Sequence, residues 1–569
     1  MIEYTERFFR GLDLWSLSVD QAFIVANLSG LQSCYVYALP EECEKCPHTR
    51  VHEIRSQDDT SNVFKLDVSR RVNLKIFERN VGKYAFDNES YACQFNETLG
   101  EFGVYDLNVE KSDTVICTLE TAKEPVNIYL PLLTIALISL LLAILWHLGS
   151  KLLKRFSRAE LQHEPSNSSS PPESPTPKKA RLNSLDTFRG IAIVVMIFAN
   201  SGGGHYWWFE HATWNGLHVA DLVFPWFLFI MGVCIPIALR SQLSKNTRRV
   251  TILKNITIRS LKLFFIGLCL NSINGPNLSD LRLFGVLQRF GVAYFVVSVI
   301  HLYCYTEDVQ FQNTLARSIS DILRLWKHWL IVTVNVLIYL LVIFLAPTPD
   351  CPSGYFGPGG IHLMASYPNC TGGVAGFIDR VVLGESHLYQ HPTIRYMYGA
   401  FVFDPEGLLG CLPTILQVFL GLQCGVLILT HVEAVARIRR LAVWSVFLGL
   451  MGGILCGFSK NDGWIPVNKN LWSLSFVLVT ASLAFFLLLI CFILVDVRRV
   501  WSGKPFLYAG MNAIILYVGH TVFHKMLPWR WHIGPMNTHF MLTLEALWNT
   551  VLWNGIAYYL YRKNIFYSV

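Results

Sequence analysis

The chain has 569 residues, of which 52% are hydrophobic, 13% aromatic and only 15% charged, with a formal net charge of +7. Soluble globular proteins carry about 25% charged residues, so the composition excludes an ordinary soluble enzyme and points to many membrane spans. The basic residues are scattered through short loops rather than gathered in one stripe, which excludes a nucleic-acid surface and fits cations beside one membrane face.

Residues 1–126 contain no apolar run of span length. Alternating stretches such as VFKLDV and VNLKIF, separated by turns, predict short strands of a small β-rich domain. Cys34, Cys43, Cys46, Cys93 and Cys117 fall in it, with N-x-S/T sequons at Asn27, Asn88 and Asn96. Clustered cysteines and glycosylation acceptors together point to a lumen that oxidises and glycosylates. Cys43 and Cys46 read as disulfide-forming rather than zinc-binding, because no second ligand pair has suitable spacing. Asp13 and Asp20 interrupt the one candidate for a signal-peptide core; carriage of the domain across the membrane by the first span is the alternative.

Apolar segments long enough to cross a hydrocarbon core of about 30 Å then recur near 128–148, 185–203, 219–239, 256–273, 284–304, 329–346, 407–430, 441–457, 472–495, 505–524 and 541–561. The predicted fold is a polytopic α-helical membrane protein of about eleven spans behind a β-rich luminal domain. It comprises a first span (127–150), a disordered Pro/Ser-rich linker (151–183), and a ten-helix domain (184–569) with a long luminal loop at 347–406. Orientation follows from two independent signals. KLLKRFSR, ARIRR, DVRRVWSGK, YRKNIF and RSQLSKNTRRVTILK lie in loops of one parity, the last with five basic residues and no acidic one. The sequons Asn277 and Asn369, with Cys351 and Cys370, lie in loops of the other parity. Positive loops mark the cytosol and sequons the lumen, so the N-terminus is luminal and the C-terminus cytosolic.

The stretch NSGGGHYWWFEHATWNGLHVADLVFPWF, from Asn200 to Phe227, joins the second and third spans on the luminal side. Gly202–Gly204 let the chain turn back on the bundle, and Trp207, Trp208 and Trp214 suit an interface. His205 and His218 read as interfacial. His211 stands out by its company, with Glu210 before it and Asn215 and Asp221 able to share its side of the loop; an imidazole exchanges protons near neutrality. Asp186 and Arg189 open the second span as a boundary ion pair or as an anchor for a phosphate-bearing ligand. Arg289 lies inside the fifth span, where it needs a carboxylate or a ligand anion, and Asp221 is one possible partner. His520 is a packed histidine or a second proton-handling group. Asp404 and Glu406 attract a cationic substrate group or simply form the turn at Pro405. No Walker loop, HExxH, G-x-S-x-G, heme or iron–sulfur spacing occurs.

The segment RLNSLDTFRGIAIVVMIFANSGGGHYWWFEHATWNGLHVADLVFPWFLFIMG, with GVLQRFGVAYFVV, CPSGYFGPGG, YPNCTGG, LGESHLYQHP, FDPEGLLG, IPVNKNLWSLSFV and GMNAIILYVGH in order, resembles the heparan-α-glucosaminide N-acetyltransferases, a family of lysosomal transmembrane enzymes. The likeness runs from about residue 181 to the end; the domain before it matches less specifically. It implies acetyl transfer from cytosolic acetyl-CoA to the terminal glucosamine of heparan sulfate in the lysosome, no metal, and a homodimer. It also implies a catalytic histidine at His211 and a family asparagine at Asn200. On that reading Arg189, with Arg289, Arg562 and Lys563, would hold the anionic donor, and Asp221, Asp404 and Glu406 would face the acceptor. His211 acts as general base in a ternary complex or carries the acetyl group itself in a ping-pong route. A polytopic sugar or acyl-group transporter with His211 as proton relay is the alternative of a different class.

Overall fold

The computed structural model of the protein describes residues 7–56, 62–161, 182–273, 275, 277–305 and 319–567. The N-terminal region is β-rich, as its alternation predicts. β1 (Phe8–Phe9) and β2 (Leu12–Asp13) form a short hairpin. One sheet has the order β11 (Val115–Lys123), β10 (Val104–Lys111), β3 (Gln21–Ser29), β6 (Val63–Asp67). The other runs β8 (Tyr84–Ala85), β5 (His48–Arg55), β4 (Ser33–Pro40), β7 (Val72–Phe77), β9 (Cys93–Phe95). Period-two burial puts Ala22, Ile24 and Ala26 of one sheet against Val36, Leu74 and Ile76 of the other in a common core. Disulfides join Cys43 to Cys46 and Cys93 to Cys117, the second bridging β9 and β11 across the two sheets. Cys34 stays a thiol in the sandwich core. The sequon residues Asn27, Asn88, Asn96, Asn277 and Asn369 are all exposed.

All eleven predicted spans are helical. α1 (Tyr129–Leu161) continues well past the expected end of the first span, and residues 162–181 of the Pro/Ser-rich linker lie outside the described residues. The bundle follows with α2 (Asn183–Asn200), α3 (Val219–Leu243), α4 (Arg249–Asn271), α5 (Val286–Cys304) and α6 (Trp326–Leu345). The long loop after α6 carries a further helix, α7 (Gly373–Leu383), and a Cys351–Cys370 disulfide. α8 (Cys411–Thr430), α9 (Ala434–Leu455), α10 (Leu474–Cys491, prolonged by a π-turn to Val497), α11 (Phe506–Met511), α12 (Ala513–Val522) and α13 (His539–Arg562) complete it. Six of these, α3, α5, α6, α8, α9 and α10, are individually long and apolar enough to cross a membrane. The tenth predicted span breaks at Asn512, whose amide donates to Ile565 O at 3.0 Å and accepts from Tyr567 N at 3.1 Å, so the C-terminal tail closes over the kink.

At the centre, α3 and α8 touch backbone to backbone. A Cβ on Gly421 would lie 2.1 Å from Phe229 O, and one on Gly232 2.0 Å from Val418 O, so only glycine permits this crossing. The alternating direction of the helices gathers the loops after α2, α4, α6, α9 and α12 on the face that carries the sandwich. Lys460 pairs with Glu42 at 3.0 Å, Tyr398 donates to Glu42 O at 3.1 Å, and His539 Nε2 meets Asp20 Oδ1 at 3.1 Å. The predicted interfacial tryptophans are drawn into the same contact. Arg70 of the sandwich lies 3.7 Å over Trp207, Trp208 stacks on Tyr129 at the start of α1, and buried Trp214 donates to Phe356 O.

This docking contact is acid-favoured. Burial, aided by the charge of Asp20, pushes the Glu101 carboxyl up to about 7 although His539 opposes the shift. A carboxyl raised above its ordinary 4.5 binds its proton earlier in the folded state, so its stabilising contribution grows as pH falls from 7 and is lost as pH rises through 7. His205, raised by its hydrogen bond to Asp20, acts in the same sense, with stability fully present below 6.5 and lost above its raised value. Asp20 itself is held low, through bonds from His205 and His539 that outweigh its burial, and titrates below this window. Thermal unfolding should therefore occur at higher temperature at pH 5 than at pH 8, and Glu101→Gln should flatten that difference.

Candidate active site

α2 ends at Asn200 and the chain turns through Gly202–Gly204 against α13. Gly204 has φ 74°, and a Cβ there would lie 2.1 Å from Thr543 Oγ1. The loop then runs back to α3, whose third residue is Asp221. The carboxylate of Asp221 is fully buried and accepts from the backbone of His218 at 3.0 Å and Ala212 at 3.1 Å. His211 Nδ1 lies 2.7 Å from Asp221 Oδ1. Because a carboxylate only accepts, Nδ1 carries the proton and Nε2 keeps its lone pair. The His211 side chain is 45% exposed while Asp221 is inaccessible, so the ring alone can meet a ligand.

A third group comes from the loop between α9 and α10. Lys469 Nζ stands 3.0 and 3.2 Å from the two ring nitrogens of His211 and 3.6 Å from Asp221 Oδ1. The two loops are zipped together: Asn468 Nδ2 donates to Asn215 Oδ1 at 3.0 Å, Asn470 to Thr213 O at 3.2 Å, and Gly216 N to Val467 O at 2.8 Å. Asn215 thus braces the loop and leaves the imidazole to Asp221 and Lys469. Glu210 keeps an exposed carboxylate whose neighbour is His205, at 3.4 Å.

Between α2, α3, α4, α5 and α12 lies a cavity of about 300 Å³. Arg189, Ile193 and Met196 of α2 line it, and Asn200 follows one turn later on the same helix face. On α3 the wall runs from Cys234 through Phe227 to Phe224, one turn short of Asp221. On α12 it ends at Tyr517, three residues before His520. Arg189 and Arg259 mark the end of the cavity away from the sandwich. Phe224, Phe290 and Trp472 pack together at the other end. The geometry is a mostly apolar cavity with Arg189 and Arg259 at one end, its α2 and α3 walls stopping one turn short of Asn200 and Asp221.

Other predicted site residues fall elsewhere. Arg189 forms the foreseen ion pair with Asp186 at 3.2 Å and also lines the cavity. Arg289 does not reach Asp221. It is buried at the start of α5, donates to Gly407 O at 2.7 Å and lies 5.0 Å over Trp472, far from the cavity's basic end. Arg562 and Lys563 end α13 in the open against Tyr558 and Tyr559, outside the cavity wall, which Tyr567 of the tail joins instead. Asp404 and Glu406 are buried and share the guanidinium of Arg282, at 2.8 and 2.6 Å. Burial works against Arg282 keeping its proton and Glu406 losing its own, yet their mutual attraction prevails, holding the guanidinium up and the carboxyl down. Lys469 and Arg259 were not anticipated. Among the described residues no metal-binding cluster occurs.

Removing one member of a buried ion pair costs about 3–5 kcal/mol. Arg282→Gln should therefore lower the unfolding temperature sharply, whereas Arg562→Gln, at an exposed helix end, should leave it unchanged.

Residues 181–335 match the model of a domain of unknown function, DUF5009. Over the full length the chain is similar to the heparan-alpha-glucosaminide N-acetyltransferase of Mus musculus, at 37% identity across 97% of this chain and 89% of the relative. It is also similar to the Homo sapiens enzyme of the same name, at 41% identity across 84% of this chain and 78% of the relative. At that identity over nearly its whole length, the chain belongs to the heparan-alpha-glucosaminide N-acetyltransferase family and is an acetyltransferase.

Proposed function

We propose that the protein moves the acetyl group of cytosolic acetyl-CoA to the amine of a terminal, non-reducing α-D-glucosamine of heparan sulfate in the lysosomal lumen, with His211 as the general base. The observation that carries this reading is the alignment of the cavity. Its arginine end lies away from the sandwich, and its α2 and α3 walls stop one turn from Asn200 and Asp221. The sandwich face would be luminal and the arginine face cytosolic, in keeping with where sequons and basic loops fall in the sequence.

Each group then has a task that its chemistry permits. Arg189 and Arg259 face the phosphorylated body of the donor, while the neutral thioester arm enters the apolar passage. The acceptor approaches the exposed edge of His211, and the open carboxylate of Glu210 attracts its ammonium form. Asp221 holds the ring through Nδ1, so that Nε2 can remove a proton as the amine nitrogen attacks the thioester carbon. Asn200 and Lys469 offer N–H groups to the oxygen as it gains charge. Lys469 must swing off the ring edge to open Nε2. Of the two protons that an ammonium loses in becoming an amide, one leaves to solvent and one passes by way of His211 to the departing thiolate. Both substrates are bound when this happens. The homodimer and lysosomal address belong to the same proposal.

The test is acetylation of a glucosamine glycoside by the purified protein in detergent. His211→Ala should abolish product while acetyl-CoA still binds, and Asp221→Asn, which leaves the ring unanchored, should lower kcat by about 10²–10⁴-fold. Wild-type turnover by H211A would overturn the assignment. Stoichiometric acetyl labelling of His211 on rapid mixing with donor alone would replace the ternary complex with a ping-pong route.

A further inference from the structure

His520 lies on α12, is 4% exposed, and takes no part in the chemistry above. Its Nδ1 is 3.0 Å from Leu516 O, the carbonyl one turn back on its own helix. A carbonyl oxygen has no proton to give, so Nδ1 bears the hydrogen and the neutral ring presents only a lone pair at Nε2. That lone pair faces Asn200 Nδ2 at 3.0 Å. The contact therefore settles which way the Asn200 amide is turned: nitrogen toward His520, oxygen away. Among the described residues the side chain of Asn200 has no other hydrogen-bond partner, and Asn200 itself is exposed.

The ring cannot drift. A Cβ on the neighbouring Gly519 would lie 2.4 Å from the ring of Trp553, so α12 is seated directly on α13. Buried Leu516 and Trp553 lie in one apolar cluster with Ile193 and Ile197 of α2. α2, α12 and α13 thus form a rigid corner at the end of the cavity, beyond Met196 and Tyr517. Without an acceptor at position 520, an exposed asparagine amide can turn about its terminal torsion at little cost, presenting oxygen where an N–H is required.

We infer that His520 is a positioning residue: by accepting one N–H of Asn200 it aims the second N–H of that amide into the site, toward the oxygen that becomes negative during transfer. The inference rests on the role proposed for Asn200. A supporting group behind a functional side chain is typically worth about 10–100-fold. His520→Ala should lower kcat by about that factor while KM for donor and glycoside changes less than about twofold. His520→Gln, which restores an acceptor, should recover most of the rate, and His520→Leu, of similar bulk without one, should not. Should H520A fail to fold, the Gln and Leu variants carry the comparison, with unfolding temperature measured alongside. In the double variant N200A/H520A the loss should equal that of N200A alone, since His520 acts through Asn200. A slow N200A beside a fully active H520L would overturn the inference and leave the reading of Asn200 standing. Additive losses in the double variant would also overturn it, showing His520 to be merely structural. An N200A variant with wild-type turnover would remove the reading of Asn200, and the inference with it.

Discussion

The site depends on one buried carboxylate. Asp221 has no access to solvent, and an anion taken out of water without partners is untenable at a cost of several kcal/mol. Its partners come from separate stretches of chain: the backbone at Ala212 and His218, the imidazole of His211, and the ammonium of Lys469. Satisfying Asp221 therefore folds the α2–α3 loop back over the start of α3 and draws the α9–α10 loop across it. The geometry at His211 is a by-product of that electrostatic requirement. His211 is held by the group that needs it, while its outer edge stays in the open.

The same logic repeats across the sandwich-bearing face. Arg282 takes up two buried carboxylates, Glu42 is met by Lys460 and Tyr398, and Asp20 by His539. Each of these ties joins loops distant in sequence. The β-sandwich is consequently not a pendant domain but a plate to which the loops around the site are fastened. Movement of Lys469 away from His211 would have to occur within this braced frame, where the asparagine zipper between the two loops holds the backbone still.

What could be read in the sequence and what could not divide along physical lines. Apolar helices are recorded in local hydropathy, so all eleven segments were legible as helical, as were strands with period-two alternation such as β6 and β7. Asp221 was recognisable as company for His211 because ten residues and one turn separate them. Lys469 was not, since 258 positions separate it from His211 and nothing local distinguishes N-K-N from any polar loop. The partners of Arg289, Asp404 and Glu406 were hidden for the same reason: the carbonyl of Gly407 lies 118 positions from Arg289, and Arg282 lies 122 positions from Asp404. Cys34 shows the limit of counting: five cysteines in one domain leave one over, and burial in the core makes it an inert thiol.

On the proposed reading, direction across the membrane follows from where charge can and cannot go. The cavity that begins at the arginines is walled largely by isoleucine, methionine and phenylalanine. A phosphate entering it would forfeit its hydration with nothing to replace it, at a cost far beyond what a few contacts return, so the proposed anionic carrier would halt at Arg189 and Arg259. A neutral thioester loses little. Equally, the proposed sulfated acceptor would not descend from the sandwich face past the aromatic packing of Phe224, Phe290 and Trp472. In that proposal, the acyl arm is the part of the donor whose polarity matches the cavity wall. On the proposed reading, a protein that need not alternate between open faces can then carry an acetyl group over, because the cavity wall itself discriminates what crosses.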